Sequence, residues 1–323
     1  MAETATDALR PADYLAYRDA AEAILGTESG PAALRAFGFD DVFAELPDLG
    51  PAYAFLEAQG RRGAVTPALG RVGLAADTPL PASAVLGWPL PGTTVVAVPG
   101  LPPQTPVAVD VPGTGLVVFD PAPPARRTRH PVADDYLALL EVDATGGETV
   151  VEEARMAELR PAVLARLQLG ASAELLGVTD RLLRDAVAHT RSRRQFGRPL
   201  SGFQSMQHLL AWAATERHQL TCLFDIAVAR SARVGTDPEL ARTVKAMAGR
   251  VLHAVAQAAV QATGAISFTW EYSLNQLHHR GLALDQFAGS SADLIAALGR
   301  RIRSEAAVPE FVGLGDVAVG TTR

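Results

Sequence analysis

The residues best placed to do chemistry lie in the run RSRRQFGRPLSGFQ, from Arg191 to Gln204. Arg191, Arg193 and Arg194 crowd the end of what reads as a long helix, and Phe196-Gly197 and Pro199 follow. Cations at a helix C-terminus are favoured by the macrodipole and need no ligand. The competing reading is that Arg193 and Phe196 hold something. Other reactive residue types are sparse. The lone cysteine, Cys222, sits in an apolar helical pattern. His278, His279 and the remaining histidines show no metal-ligand spacing with cysteine or carboxylates, and His208 reads as a packing or capping residue of its helix. The GTGL run at 113 reads as a turn between strands and not a dinucleotide fingerprint, because no helix follows it.

These residues need elements to position them, and the chain changes texture twice. Residues 1–76 read as a helical part. PADYLAYRDAAEAILG opens with Pro11 in a first-turn position and stops at Gly26, and a second short helix starts near Pro51. Residues 77–152 hold 13 of the 22 prolines, all between Pro79 and Pro131, which excludes a long helix. Short β-branched runs at 93–98, 106–111, 115–119 and 136–142 predict strands of a small sheet, paired mostly antiparallel because the connections are short. Residues 153–304 are helical again. A first helix is expected from about Glu158 to Arg191, and a second capped by Ser201. A third starts at the strong Asp237-Pro238 signal and ends at Gly264. Shorter helices follow from about Thr269 and Ser291. Long amphipathic helices with short connections describe an antiparallel bundle. Residues 305–323 form a tail without pattern. The fold class is therefore α+β and mostly α: N-terminal helices, a small middle β-domain and a C-terminal antiparallel bundle.

Composition narrows the function. The chain has 323 residues, 48% hydrophobic and 20% charged, with a net charge of −6. That is ample for a sizeable core, and it gives no general pull toward nucleic acid or anionic membrane. One cysteine makes no intrachain disulfide, which favours a reducing compartment. The N-terminal segment lacks an apolar signal core, and no run of about 18 uninterrupted apolar residues occurs. A cytoplasmic location is expected.

RSRRQFGRPLSGFQSMQHLLA resembles the R-x-x-F-G-x-x-[LI]-x-x-x-Q-x-x-Q segment of the acyl-CoA dehydrogenases. About 65 residues beyond Phe196, QATGAISFTWEYSLNQLHHRGLALDQFAGSSADLIAALGRRI resembles that family's Q-x-x-G-G-x-G-[FY]-x-x-E segment, in its T-W-E version. The helix–sheet–helix order is also the family's. The resemblance is specific over about residues 155–303. It implies a flavoenzyme in which FAD lies between two subunits. The middle domain of one subunit cradles the isoalloxazine, and the bundle of its neighbour reaches across. Carried onto this chain, the reaching residues are Arg193, Gln195, Phe196, Gln261 and Gly264. A guanidinium is a planar fork suited to a pyrophosphate, and glycine at a helix end lets backbone N–H groups approach closely.

The family's chemistry is α,β-dehydrogenation of an acyl-CoA thioester by a glutamate base and the flavin. The two positions where the family places that base are here Ala288, in Phe287-Ala288-Gly289-Ser290, and Leu167, 29 residues before Phe196. Neither side chain can take a proton. Glu271 is a weak candidate for a displaced base and reads as an ordinary acid in the first turn of a helix capped by Thr269. Asp285 and Asp293 flank Ala288 on different helical turns. The family's T-E-P-x-x-G-S-D stretch and W-I-T lining are missing from the β-domain. The resemblance therefore implies a non-catalytic subunit that completes the FAD site of a longer catalytic subunit. Heteromers of this sort act on steroid side-chain thioesters, which points to a bulky acyl-CoA as substrate. An electron-transfer flavoprotein is a further expected partner. A stand-alone homodimer using Glu271, and a flavin-free scaffold of the same fold, are the competing expectations.

Overall fold

The computed structural model describes residues 13–42, 48–74, 83–90, 93–123, 125–126, 136–143 and 146–305. Pro11, Arg127, Arg129 and the tail from 306 lie outside them. The first helix, α1 (Tyr14–Ile24), is followed by α2 (Gly30–Phe37), α3 (Phe39–Val42), α4 (Gly50–Arg62) and α5 (Ala68–Val72). The sequence pattern gave only α1 and α4 of these. Short helices carry too few turns for a 3.6-residue period to show. The weak amphipathicity of α4 also has a cause. Ten of its residues are buried, Glu57 and Gln59 among them, so it has little polar face to display.

The sheet comprises β1 (Val85–Pro89), β2 (Val95–Pro99), β3 (Val107–Val111), β4 (Gly115–Phe119), β5 (Ala125–Arg126), β6 (Leu137–Glu141) and β7 (Glu148–Glu152). Its order is β5-β6-β2-β1-β3-β4-β7. Pairing is antiparallel except between β1 and β3, where Val85, Leu86 and Gly87 lie beside Val107, Ala108 and Val109 in parallel. The chain makes the β1–β2 hairpin and then returns on the other side of β1. Strands β1 and β7 were not legible in the sequence. Gly87 and Pro89 dilute the first, and β7 carries only two valines. The strand alternation sorts two cores. Leu86, Ala97, Ala108, Leu116 and Val118 face the helices. Val85, Val96, Val98, Val107, Val109, Val117, Phe119 and Leu140 form a second cluster on the opposite face. The 113–114 turn joins β3 to β4, with Gly113 at φ +80°.

The bundle begins with α6 (Glu153–Ser192), a 40-residue helix. It starts five residues earlier than expected and carries Pro161 inside. A hairpin follows, β8 (Arg194–Gln195) with β9 (Arg198–Pro199), and then α7 (Gln204–Val234), α8 (Pro238–Thr263), α9 (Ser273–Gln286) and α10 (Ser291–Glu305). The predicted Asp237 cap is present: its Oδ1 accepts the N–H groups of Glu239 and Leu240 at 2.9 and 3.2 Å. Ser201 caps nothing. It lies in a 3-10 turn, Leu200–Gly202, and Phe203 occupies the N-cap of α7 without a side-chain bond. Likewise Thr269 does not start α9, because residues 264–268 wind as a 3-10 turn and the helix begins at Ser273. His208 is exposed on α7 and neither packs in the core nor caps. Residues 238–268 are apolar enough by length and composition to cross a membrane, with a mean hydropathy of 1.2 over the best window. Half of that window is buried by the fold, as befits the central helix of a bundle.

Two contacts tie the parts together. Arg160 of α6 makes a two-pronged bond to Asp110 of β3, at 2.6 and 2.9 Å, and reaches Glu153 at 3.0 Å. Helices α4 and α6 cross backbone to backbone. A Cβ built on Gly60 would stand 2.1 Å from the Glu174 carbonyl oxygen, and one on Gly177 would stand 2.0 Å from that of Glu57. Only glycine fits at either point. Gly60→Ala must push the helices apart and should cost about 2–3 kcal/mol of stability. Urea unfolding of the variant and the parent measures it.

Candidate functional site

The end of α6 sets the first half of the site. The helix stops at Ser192, and Arg193 turns to extended backbone. Its carbonyl accepts the Leu200 N–H at 2.9 Å, closing the β8–β9 hairpin. The two residues at the tip, Phe196 and Gly197, both have positive φ, +53° and +80°. That pairing matches the twist of a two-residue hairpin loop, which glycine adopts freely and phenylalanine does not. Holding Phe196 there costs about 1 kcal/mol or more. The ring is nonetheless 87% exposed, touching Phe203 edge-on at 6.1 Å, while the Arg198 guanidinium lies 3.9 Å over Phe203. Arg191, Arg193, Arg194 and Gln195 are exposed as well.

The second half comes from the end of α8. Gly264, at φ +70°, stops the helix, and Gln261 and Gly264 are both exposed. The following turn displays Ile266, Phe268 and Trp270, at 43%, 74% and 40% exposure. The two halves lie at one end of the bundle because α6 is stapled to the start of α9. The Ser273 hydroxyl donates to Asp185 at 3.1 Å, and the His189 ring meets Tyr272 at 6.2 Å. Burial holds the His189 pKa below its ordinary value, and the nearby Arg193 charge lowers it further. Arg193 follows one turn after His189, and its N–H donates to the His189 carbonyl at 2.8 Å. An exposed cation, an exposed aromatic face and a glycine helix end form an open surface. Such a surface suits a planar, anionic molecule.

The two positions expected to lack a base are placed together and sealed. Leu167 is fully buried in α6, and Ala288 is 2% exposed just past the end of α9. The neighbour of Leu167, Gln168, donates its Nε2 to the Ala288 carbonyl at 3.1 Å. Ala288 sits at φ +57°, a strained value for a side-chain-bearing residue. The acids nearby are engaged. Asp285 accepts the Ser291 N–H at 3.2 Å and hydroxyl at 3.0 Å, and Asp293 accepts the Ser290 hydroxyl at 2.7 Å. Glu271 is exposed, and it does not lie in the first turn of a helix. Ala288 follows the opposite end of α9, 14 residues long, so about 20 Å separates them.

Sequence reasoning did not find Lys245. It is buried, and its Nζ donates to the carbonyls of Asp285 at 2.8 Å and Gly289 at 3.0 Å, clamping the loop that carries Ala288. Nor did it find the buried trio of Glu174, Tyr136 and Arg280. The Tyr136 hydroxyl donates to Glu174 at 3.0 Å, the Arg280 Nε donates to the same carboxylate at 2.9 Å, and that guanidinium lies 4.4 Å over the Tyr136 ring. Burial and the Glu174 charge push the Tyr136 pKa well up. Partners 38 and 106 residues apart leave no local signal.

The sheet offers a cavity of about 530 Å³ whose wall includes Asp110, Glu141 and Asp143 and, among the described residues, no lysine or arginine. With Asp110 paired to Arg160 from behind, Glu141 and Asp143 still leave that wall without the positive charge a diphosphate needs.

Residues 162–303 match the family model described as acyl-CoA dehydrogenase, C-terminal domain. Acyl-CoA dehydrogenase IpdE2 of Mycobacterium tuberculosis is 30% identical over 134 residues, 42% of this chain and 39% of that protein. The chain spans between about a fifth and about a half of the length of the curated relatives it matches. A solved structure, the Tcur3481-Tcur3483 steroid ACAD G363A variant, is similar with a TM-score of 0.67 at 20% identity. The match covers 91% of this chain and 99% of that one. The ChsE4-ChsE5 complex from Mycobacterium tuberculosis is similar with a TM-score of 0.65 at 17% identity, covering 96% and 99%. At these identities the structures show the fold, that of the acyl-CoA dehydrogenases.

Lys245 makes a pH prediction. Burial lowers its pKa from 10.5 to about 8, so the folded protein holds that proton less tightly than the unfolded chain. The penalty is present in full below about pH 8 and is relieved as pH rises toward 10.5, a gain of about 3 kcal/mol across the window. Between pH 8 and 9.5 the parent should gain stability relative to Lys245→Met, measured by urea unfolding of both proteins.

Proposed function

We propose that the chain, whose residues 162–303 match the model described as acyl-CoA dehydrogenase, C-terminal domain, is the non-catalytic subunit of a flavin-dependent acyl-CoA dehydrogenase. It completes the FAD site of a longer, catalytic subunit. The observation that carries this reading is the contrast between the two sites. The positions for a base are apolar and sealed at Leu167 and Ala288, while the Arg193–Phe196 hairpin and the Gln261–Gly264 helix end stand open at the surface. The acid-walled cavity of the sheet supports the same reading, since it suits no diphosphate of its own.

In this role Arg193 binds the FAD diphosphate of the neighbour, and Phe196 lies against the cofactor. Gln195 and Gln261 add hydrogen bonds, and Gly264 lets backbone approach. FAD, when bound in the partner's site, accepts the hydride of α,β-dehydrogenation, and the carboxylate base belongs to the longer subunit. The similar structures include a steroid ACAD variant and the ChsE4-ChsE5 complex. They support a heteromeric partner and a bulky, steroid-derived acyl-CoA as substrate. An electron-transfer flavoprotein would then reoxidise the complex in the cytoplasm. The exposed Glu271, remote from Ala288, gives the stand-alone alternative no support.

The test is flavin content. The chain purified alone should carry almost no flavin and oxidise no acyl-CoA, and co-expression with its longer partner should give a complex with fewer flavins than chains. One flavin per chain together with family-like activity in the isolated protein would overturn the reading. In the complex, Arg193→Ala should weaken flavin retention roughly 10- to 100-fold, the worth of one charge-assisted contact to phosphate. Equilibrium dialysis of the assembled complex measures this.

A further inference from the structure

A second cavity, of about 260 Å³, opens between the end of α4, α6 and the first turns of α9, well away from Ala288. Its wall is lined by Arg62, Arg181 and Arg280, together with Ser273, Gln276 and Tyr136. Leu277 and Val65 supply the apolar part. Among the described residues no carboxylate lines it. Carboxylates behind the wall balance two of the three arginines. Glu174 offsets Arg280, and Asp185 offsets Arg181 at 2.9 Å. Among the described residues Arg62 makes no ion pair.

Donor capacity remains after the structural bonds are counted. Arg280 uses Nε and Nη2 on Glu174 and contributes a fixed positive charge to the wall. Arg181 uses Nε on Asp185 and Nη1 on the Arg61 carbonyl, which leaves Nη2. Gln276 uses one amide hydrogen on the Trp270 carbonyl and keeps the other. The N-terminal turn of α9 forms part of the wall, so its dipole adds to the same sign of potential. The Arg280 guanidinium is fixed by its stack on Tyr136 and its bonds to Glu174, so it is oriented before any ligand arrives.

We propose that this cavity binds a small anion through its phosphate or carboxylate group. Three arginines on one wall give a cationic lining suited to such groups, and the Leu277 and Val65 surface accepts a short carbon chain. The site does not depend on the proposed subunit role.

Isothermal titration of the full chain in low-salt HEPES, with inorganic phosphate and with succinate, tests the proposal. At least one of the two should saturate a single site per chain. Arg62→Ala should weaken that binding roughly ten-fold, and Gln276→Glu should abolish it. Both side chains are exposed on helices, and thermal melting confirms that the variants fold. Coenzyme A then distinguishes the source of the group. Displacement of the small anion by coenzyme A assigns the site to the phosphate of a larger molecule, and failure to displace assigns it to a free small acid. Absence of saturable binding by phosphate and succinate, or binding that both substitutions leave unchanged, overturns the proposal.

Discussion

The crossing of α4 and α6 at Gly60 and Gly177 is the contact on which the rest of the structure depends. It brings two helix backbones to a distance that any side chain would prevent. Close approach also carries two acids into the interior, Glu57 and Glu174, each one turn from a glycine. Each acid is met there by its own cation and tyrosine. Glu57 takes Arg61 at 3.0 Å and the Tyr14 hydroxyl at 3.1 Å, and Glu174 takes Arg280 and Tyr136. Removing one member of such a set leaves a buried charge unpaired, which costs about 3–5 kcal/mol. The arginine-walled cavity follows from the same arrangement, since Arg280 reaches it only by spanning from α9 to Glu174.

That tight middle separates a closed interior from an open end. Around Ala288, whose carbonyl accepts from Gln168, the fold is closed, and Lys245 clamps the loop through two carbonyls. At the far end of α6 the opposite holds. A strained phenylalanine is held in water by a hairpin, with a cation beside it and three more apolar side chains displayed nearby. A monomer gains nothing from Phe196 at that exposure. Backbone strain is commonly kept where a residue serves binding, and exposed aromatic surface marks an interaction surface.

Long elements were legible in the sequence because period and punctuation agreed. Asp237-Pro238 and Gly264 bracket α8 as read, and the valine-rich runs gave β2, β3, β4 and β6. The errors share a cause. Ser201 and Thr269 carry capping side chains, yet 3-10 turns adjoin both, so the helices start later than the residue types suggest. The start of α6 was hidden by Pro161, which usually ends a helix and here lies inside one. The short helices α2, α3 and α5 hold by packing against α1, α4 and the sheet, which no local pattern reports.

By itself the sequence determined the order of helix, sheet and bundle, the Arg193–Phe196 and Gln261–Gly264 segments, and the loss of an ionisable group at residues 167 and 288. These are properties of residue type and spacing along the chain. Only the tertiary structure decided that the two segments share one end of the bundle and that positions 167 and 288 adjoin in a packed core. It alone placed Glu271 at the far end of α9 and gathered three arginines around a cavity. Those facts depend on contacts between residues many tens of positions apart, such as Asp185 with Ser273 and Glu174 with Arg280. Hydrophobic periodicity fixes which face of a helix is buried, but the backbone crossing at two glycines fixes what that face meets.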